Sequence, residues 1–190
     1  MAFRFGSVYV HERSFGEVRD ALVELMAETD RRQIRSRGLD PTPDETTSAK
    51  IIRSFAVLPG DNDWITVLED GHPVDDGGLA EGLSELLRAE VIHFVYDDVD
   101  GIWSYESYWE GQPLESGGAD DEDYDVSGAE FVDTHSLPHF GVYYEEVAAA
   151  AGEAQPVLAG ALGYIGAIVA RVPMGTEVLT FKRAGAPHPE

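Results

Sequence analysis

The chain of 190 residues contains no cysteine. That absence excludes a disulfide framework, a thiol nucleophile and cysteine-ligated zinc or iron–sulfur sites. Positive charge is scarce as well: thirteen Lys plus Arg stand against 36 Asp plus Glu, a formal charge of −23, and only Lys50 and Lys182 are lysines. A chain this acidic repels phosphate backbones, so sequence-general binding of DNA or RNA is excluded as a function. Long apolar runs are missing too. The longest, Pro156 to Val172, is near the lower limit for crossing a bilayer, carries closely spaced glycines and ends at Arg171, so it reads as a buried helix. Met1 to Val10 offers neither a basic leader nor a sustained apolar stretch, and the expected location is the cytoplasm. Nucleophile and nucleotide signatures are lacking: there is no Gly-x-Ser-x-Gly, no Walker loop and no kinase set, so no cofactor and no catalytic residue is expected.

What is present is a 43% hydrophobic, 10% aromatic composition, enough for one sizeable core. The charge is unevenly placed. Residues 1–60 hold nine basic and nine acidic side chains, residues 154–190 three and two, while Asp61 to Glu153 hold 25 acidic residues and one basic residue, Arg88. Such a block cannot neutralise itself with local ion pairs. Adaptation to high salt would spread acidity over every exposed surface; an uneven distribution, beside the balanced first third with its basic run Arg31, Arg32, Arg35 and Arg37, points to a face used for binding.

Periodicity gives an element order. Phe3 to His11 reads as a strand, and Ser14 with Glu17 forms a capping box for an amphipathic helix to about Arg32, with Val18, Leu22, Leu25 and Met26 on its apolar face. Ala49 to Leu58 and Trp64 to Glu69 form a hairpin across the Pro59 to Asp63 turn, Leu79 to Leu87 a short second helix, and Val91 to Tyr96 and Ile102 to Trp109 two further strands. The expected fold is α+β: a mostly antiparallel sheet with both helices on one face, in a ferredoxin-like or related βαββαββ arrangement, plus a C-terminal helix and the strand Glu177 to Lys182. Residues 1–110 are the expected sandwich core. Residues 111–128, with Gly117 and Gly118 and the run Asp120, Asp121, Glu122, Asp123, Tyr124 and Asp125, are an expected acidic loop or linker. A C-terminal extension at 129–183 would pack on the same domain, with strand-compatible sequence from Glu130 to Val147 and a frayed tail from Ala184.

Four clusters carry candidate chemistry. Asp97, Asp98, Asp100 and Gly101 imitate part of a calcium loop, but with Gly101 in the sixth place two principal oxygen ligands are missing, and the stretch reads as a hairpin turn. Trp103, Tyr105, Tyr108 and Trp109 with Glu106 and Glu110 form the densest aromatic and acidic group, with Trp103, Tyr105 and Trp109 on one side of a strand. Together with Asp97, Asp98, Asp100 and the Asp120, Asp121, Glu122 and Asp123 run, Trp103, Glu106, Trp109 and Glu110 are the expected contacts for a basic protein partner, as in an antitoxin-like or inhibitor-like protein. His135 and His139 are spaced for a metal only on a helix, which Pro138 opposes; a metal-dependent or small-ligand enzyme using them is the alternative from another class. His93, inside an apolar strand, reads as a core histidine. Gly160, Gly163 and Gly166 clear one stripe of a helix for close packing or for contact with a second copy.

Overall fold

The structure, a computed structural model, describes residues 4–34, 52–60, 63–69, 77–97, 100–120, 124–138 and 176–185. In chain order they form β1 (Arg4–His11), α1 (Phe15–Glu28), β2 (Arg31–Ile34), β3 (Ile52–Leu58), β4 (Trp64–Glu69), α2 (Gly77–Leu87), β5 (Glu90–Asp97), β6 (Ile102–Trp109), β7 (Gln112–Ala119), α3 (Tyr124–Thr134) and β8 (Glu177–Arg183). Eight strands make one sheet in the order β2-β8-β3-β4-β1-β5-β6-β7, with every neighbouring pair antiparallel. The expected class holds. The sheet is larger than the sequence suggested, because β2 and β7 add to the strands read from the pattern, and the expected strand at Glu177 to Lys182 is inserted between β2 and β3 as β8.

Each end of α1 has a local cause. Ser14 Oγ accepts from the Glu17 amide at 3.3 Å while Glu17 Oε2 accepts from the Ser14 amide at 2.8 Å, the reciprocal cap read from the sequence. The helix stops at Glu28, short of the expected Arg32. Asp30 takes φ 56 and its amide donates to Ala27 O, which turns the chain out of the helix and frees Arg31–Ile34 to pair with β8. At the far end of α2, Arg13 Nε donates to Leu87 O at 2.9 Å and Nη2 to Arg88 O at 2.6 Å, placing a cation on the carbonyls that a helix C-terminus leaves open.

Alternation along the strands divides the core in two. On one face, Val8, Val10, Phe55, Val57, Ile65, Val67, Val91, Leu179 and Phe181 meet Val18, Leu22 and Met26 of α1 and Leu79, Ala80 and Leu83 of α2. The two helices touch each other, so both lie on this face as expected. The opposite face carries Tyr9, Trp64, Ile92, Phe94 and Trp103, which pack with Phe131 and Val132 of α3 and with Leu137. β7 and that third helix correct the reading of residues 111–128 and of Glu130 onward: Gln112–Ala119 form a strand and Tyr124–Thr134 a helix, while Asp121, Glu122 and Asp123 lie outside the described residues. β7 pairs along its length with β6, and the aromatic face supplies a docking surface for α3.

Candidate partner-binding face

Strands β5, β6 and β7 form a meander at one end of the sheet, and the turns that join them are set by local chemistry. Asp97 pairs with Ile102 across the first turn, so Asp97, Asp100 and Gly101 belong to a hairpin, with Gly101 at φ 63. Strands on both sides replace the helices that a calcium loop requires. Glu110 and Gly111 form the two-residue turn between Trp109 and Gln112, with φ 48 and 75, the doubly positive combination that matches the twist of a tight hairpin. The turn is anchored to α2: the Gly111 amide donates to Ser84 Oγ at 2.9 Å, and Ser84 Oγ donates to Glu81 O at 2.8 Å.

Just beyond the turn, Ser107 pairs with Glu115 while Tyr108 pairs with Pro113, so Leu114 is the extra residue of a bulge. Leu114 is 58% exposed and Trp109 46%, and they are the exposed large hydrophobic side chains among the described residues. Acidic residues occupy neighbouring positions. Glu90 pairs directly with Trp109, Glu110 follows it in the turn, and Glu85 of α2 lies against Gly111. The segment from Glu90 to Asp120 contains eight acidic residues and no Lys or Arg.

The strand separates its side chains as the alternation predicts. Tyr108 faces the α1/α2 side and donates to Glu106 Oε2 at 2.7 Å, so the carboxylate is positioned by the neighbouring phenol. Tyr105 lies on the α3 side, where its ring crosses the space left by Gly117: a Cβ there would sit 2.8 Å from Tyr105 Cε1. Its hydroxyl is held above the ordinary phenol range, chiefly by burial and then by the Glu115 carboxylate that it hydrogen-bonds. Glu106, Glu110 and Glu115 therefore reach solvent from both faces and the tip of a single hairpin.

The remaining expected site residues distribute as follows. Trp103 is a correction: it is 7% exposed, stacks on Phe94 and Tyr105 with ring centroids 5.6 and 6.0 Å apart, and donates from Nε1 to Ser127 Oγ at 2.8 Å, so it belongs to the core beneath α3 and presents no anchor. Asp100 and Asp120 are exposed at the two ends of the meander. Asp98, Asp121, Glu122 and Asp123 lie outside the described residues, as do His139 and the glycine stripe of Gly160, Gly163 and Gly166. His135 follows the last turn of α3, its Nδ1 2.9 Å from Phe131 O and its ring 4.1 Å from the Phe131 ring. Ser136, at φ 53, ends the helix, so the helical spacing that a His135–His139 pair would need stops there. Among the described residues no group of three or more His, Asp or Glu is gathered to hold a metal ion. His93 is buried, opposite Glu106. Leu114 and Glu115 had no signal in the sequence beyond lying in an acidic stretch, because the bulge that exposes Leu114 appears only once β7 is paired.

No protein-family model, curated protein or solved structure matches this chain. Among the described residues no helix is long and apolar enough to cross a membrane.

Proposed function

We propose that the protein is a non-enzymatic, cytoplasmic binding module that docks a basic protein partner on the β5–β7 end of its sheet, in the manner of an antitoxin or inhibitor that neutralises a basic target. One observation carries the reading: Trp109 and Leu114, the exposed large hydrophobics among the described residues, belong to one hairpin whose neighbouring positions Glu90, Glu110 and Glu115 are acidic. An aromatic anchor with a charged rim is the composition of an energetic hot spot, and a Trp face with carboxylates beside it suits Arg or Lys in particular. The uneven charge supports this reading over salt adaptation and against nucleic acid as a partner. The strand order β3-β4-β1-β5 supports a ferredoxin-like reading of the β1-to-β5 portion, with β6, β7 and α3 added on the docking side.

The test is a titration with an Arg/Lys-rich peptide or basic protein, read by fluorescence at several salt concentrations. Affinity is expected to fall steeply with salt, and Trp109→Ala to weaken binding at least about tenfold while leaving the net charge untouched. Binding that ignores Trp109→Ala would be polyelectrolyte attraction alone and would overturn the proposal. A protein that binds no cation and unfolds below molar salt would make salt adaptation the explanation.

A further inference from the structure

Among the described strands, the two outermost ends of the sheet carry opposite charges. Strands β2, β8 and β3 carry Arg31, Arg32, Arg53, Lys182 and Arg183 against one acidic residue, Glu177, whereas the meander at the other end carries no cation. On the outermost described strand, like charges face each other where Arg32 pairs with Lys182. Directly opposed like charges destabilise a strand pair unless an anion lies beside them. Among the described residues no carboxylate lies within ion-pairing distance of Arg32, Lys182 or Arg183. The acidic hairpin of the same molecule cannot supply one, because seven strand spacings put it about 33 Å away.

We infer that the basic edge of one copy docks on the acidic edge of a second, so that the protein associates head to tail through β2 and β7. This rests on the proposed role of the β5–β7 end as a docking face and names a partner for it. Strand polarity fits. All seven neighbour pairs are antiparallel, so β2 and β7 run in opposite directions, and a second copy set beside the first by translation meets β7 with an antiparallel β2. Length fits as well, since the four residues of β2 can be accommodated on Glu115–Ala119, the part of β7 that follows the bulge. The faces also agree. Arg32 lies on the α3 side with Lys182, and Glu115 and Gly117 lie on the α3 side with Tyr105. With Arg32 of the second copy opposite Gly117, the guanidinium meets the Tyr105 ring that crosses over that glycine, and Glu115 is its diagonal neighbour.

Such a contact is heterologous, so it builds open chains instead of a closed dimer. It is also weak: each copy carries −23, and whole-molecule repulsion opposes it. At ~0.01 M salt that repulsion reaches ~30 Å and dominates; at ~0.1 M it is confined to ~10 Å while the contacting charges still attract. Association is therefore expected to pass through a maximum at intermediate salt.

Sedimentation velocity over about two decades of protein concentration tests this, with Arg32→Gln/Lys182→Gln removing the basic edge and Glu110→Gln/Glu115→Gln the acidic edge. Wild type is expected to give a concentration-dependent ladder. Each variant alone should be monomeric, its association weakened at least about tenfold, and an equimolar mixture should stop at dimer because only one productive edge pair remains. Circular dichroism confirms that these exposed substitutions leave the fold intact. A wild type that is monomeric throughout, or oligomers that survive both variants, would overturn the inference. If that monomer still binds a cationic peptide through Trp109, only the self-association fails and the docking face stands.

Discussion

The two faces of the sheet are built from alternate residues of the same strands, yet they are different materials. Beneath α1 and α2 the core is mostly aliphatic and is closed by two helices that also pack on each other. Beneath α3 it is a chain of rings running from Phe94 through Trp103 and Tyr105 to Phe131 and His135, with successive centroids 4.1 to 6.0 Å apart. The aliphatic face spans most of the sheet. The ring stack is confined to the acidic end, where α3 touches β6 and β7. A small aromatic area can hold a short helix because each ring buries more surface than an aliphatic side chain, and offset stacking adds to it.

Phe55, fully buried beneath α1, gives the largest expected effect: Phe55→Ala should cost about 4 kcal/mol in denaturant unfolding, felt throughout the molecule. Phe131→Ala should cost about 3 kcal/mol, and amide exchange should show α3 opening while β1 stays protected. Equal loss of protection in β1 would mean that the two faces form one cooperative unit, and the contrast between them would fall.

How far these faces could be read in advance depended on the kind of signal. The α1/α2 face was legible, because Val18, Leu22 and Met26 keep helical spacing and Val8, Val10, Val67 and Val91 alternate. The α3 face was not, since only Phe131 and Val132 stand out in a stretch otherwise dominated by small and charged residues, and an acidic run with two glycines has the composition of a loop. Backbone pairing overruled composition at Gln112–Ala119, and the ring surface did so at Tyr124–Thr134. β2 was hidden for a similar reason: its pattern is four residues long and its partner, β8, lies far away in the chain. In the candidate site, the aromatic and acidic group at Trp103 to Glu110 was visible as a cluster. Which of its two tryptophans is exposed depended on α3 covering Trp103.

Smaller effects sharpen the contrast at its margins. Gly111→Ala should cost about 1 to 2 kcal/mol, because φ is 75 and the new Cβ would lie 3.1 Å from Glu85 Cβ, loosening the acidic tip from α2; thermal denaturation reads it. Ser136→Gly should stabilise by roughly 0.5 to 1 kcal/mol, since a left-handed residue at the end of α3 suits glycine, and the gain should appear in α3 exchange first. The least effect is on pH. Hydrogen bonds from the Ser14 side chain and amide hold the Glu17 carboxyl below its usual range, so its contribution is complete above the unfolded value of 4.5 and disappears as pH falls through the lower folded one. Glu17→Gln should remove that acid-side loss and leave the neutral-to-alkaline limb unchanged in a series of melts.

The placement of β8 has a consequence for the order in which the molecule is made. β1, β3, β4 and β5 can pair once the first half of the chain has left the ribosome, and the hairpins of β6 and β7 follow as soon as they are synthesised. β2 has to wait. Among the described residues its neighbour in the sheet is the strand at Glu177–Arg183, which also has to slot against β3, so the two cationic strands pair last and across the largest separation in sequence. A nascent chain thus displays its acidic end well before its basic one, and chains still being translated could accept a neighbour but could not yet reach for one.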